Sequence, residues 1–528
     1  MDNNIIIGKN LIDMLMFSMY PDAKVFYREY VQNSYDAIVD ATRKGILSAV
    51  KEGDISITIN STNRIISIQD NGNGISVDDA PRILLNIADS HKDGIGTAGQ
   101  YGVGRLVGAR YCKKLIFRTS TAGEDKYSEI IFDTVMARNI IHNQDDHSTA
   151  TEVIDKITTI NTGNEEVEKH YFEVIMEGVD TSYKELLNVD AIKAYLEEIA
   201  PIDYKTEFKN QLYKTSLPSE YISLDSNIQN VRISINDDSD IRRRYGLRIE
   251  GTNDNIDSLW FFKIEDDDYG LLGWGWFAIT KFSIASPASD PNRGLRMRKQ
   301  NIQIGDAKVL NKFFKQPTGN NYFYGEIHAT HDNLRPTSAR DGLAPTPEAI
   351  AFHEHIKEYF IDLGALYQRA SEIKNSYKDI QAAKLEEDKV VAQNKEIKQL
   401  DKLSKIEEKA KQENNHPLIK IIDIYKRENV DTNTNTTTEQ PQKPSTTPTK
   451  PKNEETPPDA TSPTTEQPQK PSTPTTATDM FEPLRGKFSD ENLMLIRKVC
   501  AEFSRNSTPK ERPIIENIKN KVIRALSK

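Results

Sequence analysis

Cysteine is almost absent from this chain of 528 residues, which contains only Cys112 and Cys500. Two cysteines cannot build a disulfide scaffold or a cysteine-based zinc site, and their scarcity favours a reducing, cytoplasmic compartment. The chain also lacks an apolar run long enough to span a membrane. Its N-terminal segment does not have the basic region followed by a long apolar run that is typical of a signal peptide. The formal net charge of −10 offers no overall attraction for nucleic acid, although it does not exclude a local basic patch. We therefore expect a cytoplasmic protein with no membrane part.

Two common nucleotide-binding signatures are also missing. No segment matches the P-loop pattern G-x-x-x-x-G-K-[ST], and the G-x-x-G-x-G order at residues 99–104 reverses the dinucleotide fingerprint. The surrounding stretch, residues 90–110, holds too many glycines for a helix interior. It suits a mobile loop that leads into a helix N-terminus after Gly104, where backbone N–H groups and the helix dipole favour a phosphate. A plain flexible surface loop is the alternative.

A polar stripe marks the segment 26–41, which reads FYREYVQNSYDAIVDA. Glu29, Asn33 and Asp36 are spaced i, i+4 and i+7, so they share one face of a helix. The apolar residues of the segment fall on roughly the opposite side, where they can pack on a core. Such a stripe is ordinarily a solvated surface, whereas two acids and an amide on one face also suit a ligand site.

A β-hairpin is predicted at residues 54–70, because DISITI and RIISIQD alternate apolar and polar residues around residues 60–63. The hairpin ends in DNGNG, where Asp70 closes a strand. Gly72 and Gly74 would let the backbone approach a flat ligand closely, although Asn-Gly pairs also form plain turns. Further strands are predicted at residues 114–119, 127–132 and 149–157.

In this order and spacing, E-x-x-x-N-x-x-D-A, D-x-G-x-G and G-x-x-G-x-G resemble the ATP-binding boxes of the GHKL, or Bergerat-fold, ATPases. That superfamily includes gyrase, the ninety-kilodalton heat-shock chaperones, histidine kinases and MutL. The resemblance spans residues 29–151 and is closest in appearance to the bacterial heat-shock-chaperone-like proteins. It implies an α/β sandwich that holds ATP between its helices and a glycine-rich lid.

The resemblance also implies roles for the matching residues. Glu29 would be the general base and Asn33 the magnesium ligand, while Asp70 would accept a hydrogen bond from the adenine amino group, which favours ATP over GTP. Thr151 would be a further adenine-site residue; the family usually places a glycine before it, and this chain has Ala150. The residues expected to contact the nucleotide are Asn33, Asp36, Asp70, Gly72, Gly74, Lys92, Gly99, Gly102, Gly104 and Thr151.

The length of the chain predicts two or three domains. The expected fold class is α/β. A helical exit at residues 165–200 and strand-like runs from 231 to 330 indicate a second, transducer-like mixed α/β domain. Residues 431–480 contain 16 Thr and 10 Pro, and TTEQPQKPST occurs twice, which is typical of a disordered linker. The predicted units are a Bergerat α/β sandwich at 1–165, the second domain at 166–345, a helical arm at 346–428, the disordered linker at 429–479 and a small basic helical module at 480–528.

The second domain carries two candidate sensors of the γ-phosphate. In clamp ATPases of this superfamily, a second domain reaches a basic residue to that phosphate, and Lys299 and Arg340 are the candidates here. A solvated charged turn is the alternative for both. The helical arm is either a solvated arm or a dimer seam.

Two classes of function follow as expectations. The first is a magnesium-dependent ATPase that acts as a homodimeric clamp, or chaperone-like switch, on an unidentified macromolecular partner. The second is a non-hydrolysing nucleotide-binding scaffold, or a nucleic-acid-associated ATPase resembling MutL or MORC. The module at 480–528 has eleven Lys or Arg against six Asp or Glu, so it suits an acidic partner or nucleic acid, unless the charge marks only a solvated helix face.

Overall fold

The computed structural model describes residues 7–18, 22–86, 104–236, 238, 240–337 and 339–434. The glycine-rich stretch before Gly104, including Lys92, Gly99 and Gly102, therefore lies outside the described residues, as do the predicted module at 480–528 and most of the predicted linker. In the described part, no helix is both long enough and apolar enough to cross a lipid bilayer.

The described strands form two sheets. The first sheet has seven strands in the order β5-β4-β3-β6-β2-β1-β7, and the second has five in the order β11-β10-β12-β9-β8. The strands are β1 Asp54–Asn60, β2 Ile65–Asp70, β3 Lys114–Ser120, β4 Lys126–Asp133, β5 Thr158–Asn164, β6 Tyr171–Glu177, β7 Arg232–Ile235, β8 Ser258–Asp266, β9 Gly270–Ile279, β10 Gly294–Lys299, β11 Ile302–Ile304 and β12 Tyr324–Ala329.

Helices pack around both sheets. The α-helices are α1 Asn10–Asp13, α2 Val25–Arg43, α3 Ala80–Leu85, α4 Thr134–His142, α5 Ala150–Ile157, α6 Val189–Ile199, α7 Thr206–Phe208, α8 Lys214–Ser216, α9 Ile222–Ser226, α10 Pro347–Ala383, α11 Lys389–Gln412 and α12 His416–Thr434. Short 3₁₀ or π segments are Met14–Ser18, Val50–Glu52, Gly104–Tyr111, Thr181–Leu187, Lys209–Tyr213, Ser219–Tyr221, Asn311–Phe313 and Pro317–Tyr322.

Helix α2 is held on the first sheet by its apolar side. Phe26, Tyr30, Val31 and Ile38 are each at most 2% exposed and belong to one core with the inward-facing side chains of the sheet. The predicted hairpin is confirmed as β1 and β2, in which Ile57 pairs with Ile68 and alternate residues face the core. The hydrophobic pattern of both elements thus places α2 beside the end of β2. Because α2 carries the E-x-x-x-N-x-x-D-A segment, it is called the box helix below.

The strand predictions at 114–119 and 127–132 are confirmed by β3 and β4, but the strand predicted at 149–157 is wrong. That segment is the helix α5, since Thr149 and Glu152 form a reciprocal capping box at its N-terminus. Val153, Ile154 and Ile157 follow at helical spacing and are buried, so the segment satisfies its apolar groups as a helix. The helix predicted through 165–200 is interrupted as well, because β6 occupies its first half and α6 only its second.

The first sheet extends past residue 165. Strand β6 lies between β3 and β2, and β7 pairs in parallel with β1 at the sheet edge. The second sheet begins at β8, and the long helix α10 buries Phe352, Ile356 and Phe360 in the core of that sheet. The predicted arm at 346–428 consists of α10, α11 and α12, and these helices share one hydrophobic core with the second sheet, which the prediction of a solvated arm or dimer seam did not include.

Candidate functional site

The polar stripe of α2 runs beside the end of β2, where Ser34 hydrogen-bonds Asp70 and Ala37 packs against Gly72. Glu29 and Asp36 are buried, with 7% and 4% of their surface exposed, whereas Asn33 between them is partly exposed. Among the described residues, the side chain of Asn33 makes no hydrogen bond. Its amide oxygen is therefore available to a ligand, unlike most polar groups on this helix.

The two carboxylate oxygens of Glu29 have different surroundings. Oε1 accepts hydrogen bonds from Arg28, at 3.3 Å from Nε and 3.1 Å from Nη2. Oε2 faces Gly104, where a methyl group in place of the glycine hydrogen would lie only 2.8 Å from it. The glycine that ends the G-x-x-G-x-G stretch thus lies directly against the carboxylate of the box helix.

Asp70 closes β2 as a buried carboxyl group, only 3% exposed. Burial raises the pKa of Asp70 to about 7, although hydrogen bonds from the Ser34 hydroxyl and from the Gly72 and Phe172 backbones oppose this rise. The Gly72 N–H lies 2.9 Å from Oδ1. This buried carboxyl group is thus held by several hydrogen-bond donors, and its ionised form can accept a further hydrogen bond.

The glycines after Asp70 are required by close packing. A Cβ at Gly72 would lie 2.6 Å from the Ala37 Cβ on α2, and one at Gly74, whose φ is +63°, would lie 1.8 Å from the Ser120 carbonyl oxygen. Neither position tolerates a side chain without movement of the backbone. The loop is therefore pressed between α2 and β3.

Three further residues, not identified from the sequence, support this corner of the site. The Thr119 hydroxyl accepts from the Ile75 N–H and donates to the Tyr171 carbonyl, both at 2.9 Å, which ties β3 to the loop. Ser34 hydrogen-bonds Asp70 from α2, and His170 Nδ1 lies 2.7 Å from the Gly72 carbonyl oxygen. Of the three, only Ser34 lay within a sequence box, since the other two are distant in sequence and carry no local signal.

Thr151 is not brought to Asp70. It is exposed in the first turn of α5, while the strands that pair with the end of β2 are β1 and β6, with Ile55 and Phe172 opposite Asp70. The expectation depended on a strand at 149–157, and the capping box at Thr149 makes that segment helical instead. A role for Thr151 beside Asp70 is therefore not supported by the fold.

Arg340 is brought to the box helix from a loop of the second half of the chain. It is 2% exposed, and its Nη1 donates a hydrogen bond to Gln32 Oε1 at 2.9 Å. Burial lowers the pKa of the Arg340 guanidinium to about 10, an effect that Arg28 increases and that Glu29 and Asp36 oppose. Arg340 therefore lies within electrostatic reach of both acids of the stripe.

Lys299 has a different environment. Its ammonium donates to the carbonyl oxygens of His331 at 2.7 Å and Thr330 at 3.3 Å, in the loop after β12, and not to α2. Burial lowers its pKa to about 8. Its backbone contacts the other candidate sensor, since the Lys299 carbonyl oxygen lies 3.5 Å from Arg340 Nη2, and the positive charge of Arg340 also lowers the pKa of the Lys299 ammonium.

Comparison with known proteins agrees with the resemblance carried by the three boxes, over part of the first sheet. Residues 24–164 match the family model described as histidine kinase-, DNA gyrase B-, and HSP90-like ATPase. The chain is 27% identical over 136 residues to the chaperone protein HtpG of Streptomyces coelicolor, which covers 22% of this chain and 21% of that protein. It is 28% identical over 134 residues to HtpG of Bacillus velezensis and 32% identical over 133 residues to HtpG of Burkholderia ambifaria, each alignment covering 22% of this chain and 21% of the relative.

The matched part is thus about a fifth of the length of these curated relatives. Within that part, the resemblance inferred from the three boxes is confirmed. The remaining four-fifths of each relative have no counterpart in these alignments.

Proposed function

We propose, from the premise that residues 24–164 form a domain of the GHKL ATPase family, that this protein binds ATP with Mg²⁺ and hydrolyses it. One observation supports the proposal most directly. The face of α2 that carries Glu29 and Asn33 lies beside a buried acceptor, Asp70, and a glycine loop pressed onto the same helix at Ala37. The residue proposed to activate water thus lies on α2, and the residue proposed to recognise the base closes the adjacent strand β2.

Asp70 would select the base. Its carboxylate can accept a hydrogen bond from the amino group of adenine, whereas guanine would present a carbonyl oxygen and repel it. The close packing of Gly72 and Gly74 allows the loop backbone to lie against the plane of the base. These residues fit adenine, and they favour ATP over GTP.

The residues at the other end of the stripe fit the phosphates and a magnesium ion. Asn33 offers one neutral oxygen, so a bound Mg²⁺ would take its remaining ligands from phosphate and water, as is usual for this ion. Such an ion supplies charge neutralisation to the phosphates. Asp36 extends the same polar face toward the nucleotide, and Lys92, Gly99, Gly102 and Gly104 would complete the phosphate cradle as the lid closes.

Glu29 would act as the general base, one turn before Asn33. Its Oε2 is bonded to no other group among the described residues and can accept a proton from an attacking water. Arg28 occupies Oε1 and so orients the carboxylate. Arg340, rather than Lys299, would contact the γ-phosphate, because its guanidinium already lies against α2.

We also propose that the chain works as a homodimeric clamp, or chaperone-like switch, on a macromolecular partner. The support is the similarity to HtpG chaperones in the ATPase part, together with the contact between that part and the Arg340 loop. ATP would favour the closed form only by its higher affinity for that form. Small-angle scattering of Glu29→Ala with ATP, with ADP and without nucleotide tests the clamp, and identical profiles would argue against it.

Steady-state phosphate release tests hydrolysis. Glu29→Ala should retain ATP binding and lose turnover by about 10²- to 10⁴-fold, because only the proton acceptor is removed. Arg340→Ala should lower kcat more than it raises KM, since it stabilises charge that develops on the γ-phosphate. Lys299→Ala is the matched control and should change kcat less. Hydrolysis by Glu29→Ala at the wild-type rate would show that the general base is assigned wrongly, and no turnover in the wild type would favour the passive scaffold.

A further inference from the structure

Gln32 belongs to the box helix but not to its polar stripe. Gln32 lies seven residues after Val25 and four residues after Arg28, so these three residues share one face of α2. Glu29 and Asn33 lie on a different face of the helix. This face meets the loop that carries Arg340. Arg28 Nη2 donates to the Ala339 carbonyl oxygen at 3.0 Å, and Gln32 Oε1 accepts from Arg340 Nη1 at 2.9 Å.

The contact between Gln32 and Arg340 is buried on both sides. Gln32 is 3% exposed and Arg340 2% exposed, and 308 residues separate them in the sequence. In a buried site, a hydrogen bond to a charged group is stronger and more directional than one at the surface. The neutral amide of Gln32 also holds the guanidinium without cancelling its positive charge, which a carboxylate at this position would do.

The backbone end of Arg340 is held as well. Its φ of +51° is rare for a residue with a side chain. The Arg340 N–H donates to the Thr337 carbonyl at 3.0 Å, and its carbonyl oxygen accepts from the Gly305 N–H at 2.6 Å. The backbone conformation therefore sets where the side chain starts, and Gln32 sets where one of its guanidinium nitrogens ends.

We propose that Gln32 is a positioning residue. It holds the Arg340 guanidinium against the box helix, so that the guanidinium is already oriented when the γ-phosphate binds. This inference rests on the proposed ATPase function and deepens it. Gln32 acts only through Arg340 and touches neither the base nor the attacking water. Its loss should lower the rate of the chemical step and leave the binding of the adenine end unchanged.

The test is a double-mutant cycle in the full chain. Gln32→Leu removes the acceptor at similar size, and Arg340→Ala removes the guanidinium. We expect Gln32→Leu to lower kcat by about tenfold or more with KM within about twofold, and to have little further effect in the Arg340→Ala background. Thr42→Val is the control on the same helix, because it removes only a bond to the Ile38 carbonyl oxygen and should leave kcat unchanged.

Calorimetry with ADP shows whether each variant still forms the nucleotide site. ADP binding by Gln32→Leu at wild-type affinity, together with the non-additive kcat losses, would support the positioning role. Weaker ADP binding by Gln32→Leu, losses that multiply in the double variant, or wild-type turnover by Gln32→Leu would each overturn it. These results differ from the failure of the proposed function, which would appear as turnover that Glu29→Ala does not reduce.

Discussion

The binding of adenine should depend on pH through Asp70. Burial raises the pKa of this carboxyl to about 7, so about nine-tenths of it is ionised at pH 8 and about one-tenth at pH 6. Gly72, Phe172 and Ser34 already donate hydrogen bonds to the group. A proton on Asp70 adds one more donor where the adenine amino group needs an acceptor, so the ionised form is the form that binds.

The expected affinity therefore rises about tenfold between pH 6 and pH 8, or about 1.4 kcal/mol. The effect of this carboxyl on folding has the opposite sign. Because its pKa is higher in the folded chain than in the unfolded one, its contribution to stability decreases as the pH rises from about 4 to about 7. A gain in affinity at pH 8 can thus not come from a better-folded protein.

Isothermal titration calorimetry with adenosine at pH 6, 7 and 8 measures the effect, because adenosine carries no phosphate that titrates in this range. His170 contacts the loop after Asp70 from outside it, since its Nδ1 lies 2.7 Å from the Gly72 carbonyl oxygen, so His170→Gln is the control and should keep the tenfold response. Asp70→Asn should bind more weakly and lose the pH dependence. Equal affinity for adenosine at pH 6 and pH 8 would refute the assignment of Asp70 as the ionised acceptor.

Two further substitutions test the packing of the site and of the second sheet. Gly104→Ala would place a methyl group 2.8 Å from Glu29 Oε2, so kcat should fall at least about tenfold while the affinity for ADP changes little. Gly364→Ala is the control, because nothing lies within 4 Å of a methyl group at that position. Equal kcat values for the Gly104→Ala and Gly364→Ala variants would contradict the contact with Glu29. Glu326→Gln would leave Arg243 and Arg298 buried without their shared carboxylate, whose oxygens lie 2.6 and 2.7 Å from them, and should lower the free energy of unfolding in urea by ~3–5 kcal/mol. The exposed Glu265→Gln should change that free energy by less than about 0.5 kcal/mol, and a similar small effect of Glu326→Gln would show that the cluster does not stabilise the sheet.

Within residues 24–164, the features that are set by residues close together in the sequence could be predicted from the sequence. The spacing of Glu29, Asn33 and Asp36 determines that they share a face, because helix geometry repeats every 3.6 residues. The alternation of β1 and β2 determined their register in the same way. The helix in the segment 149–157 could also have been predicted from residues close in sequence, because the capping box of Thr149 and Glu152 indicates a helix N-terminus that the strand prediction did not take into account.

Only the tertiary structure distinguishes the surroundings of Lys299 from those of Arg340. Both are basic residues in the second half of the chain, and no local pattern separates them. Arg340 reaches Gln32 because its loop has a left-handed backbone at residue 340 and packs on α2, whereas the ammonium of Lys299 is bound by the carbonyls after β12. Contacts between residues some 300 positions apart depend on how the two sheets pack, and helix or strand periodicity carries no information about that packing.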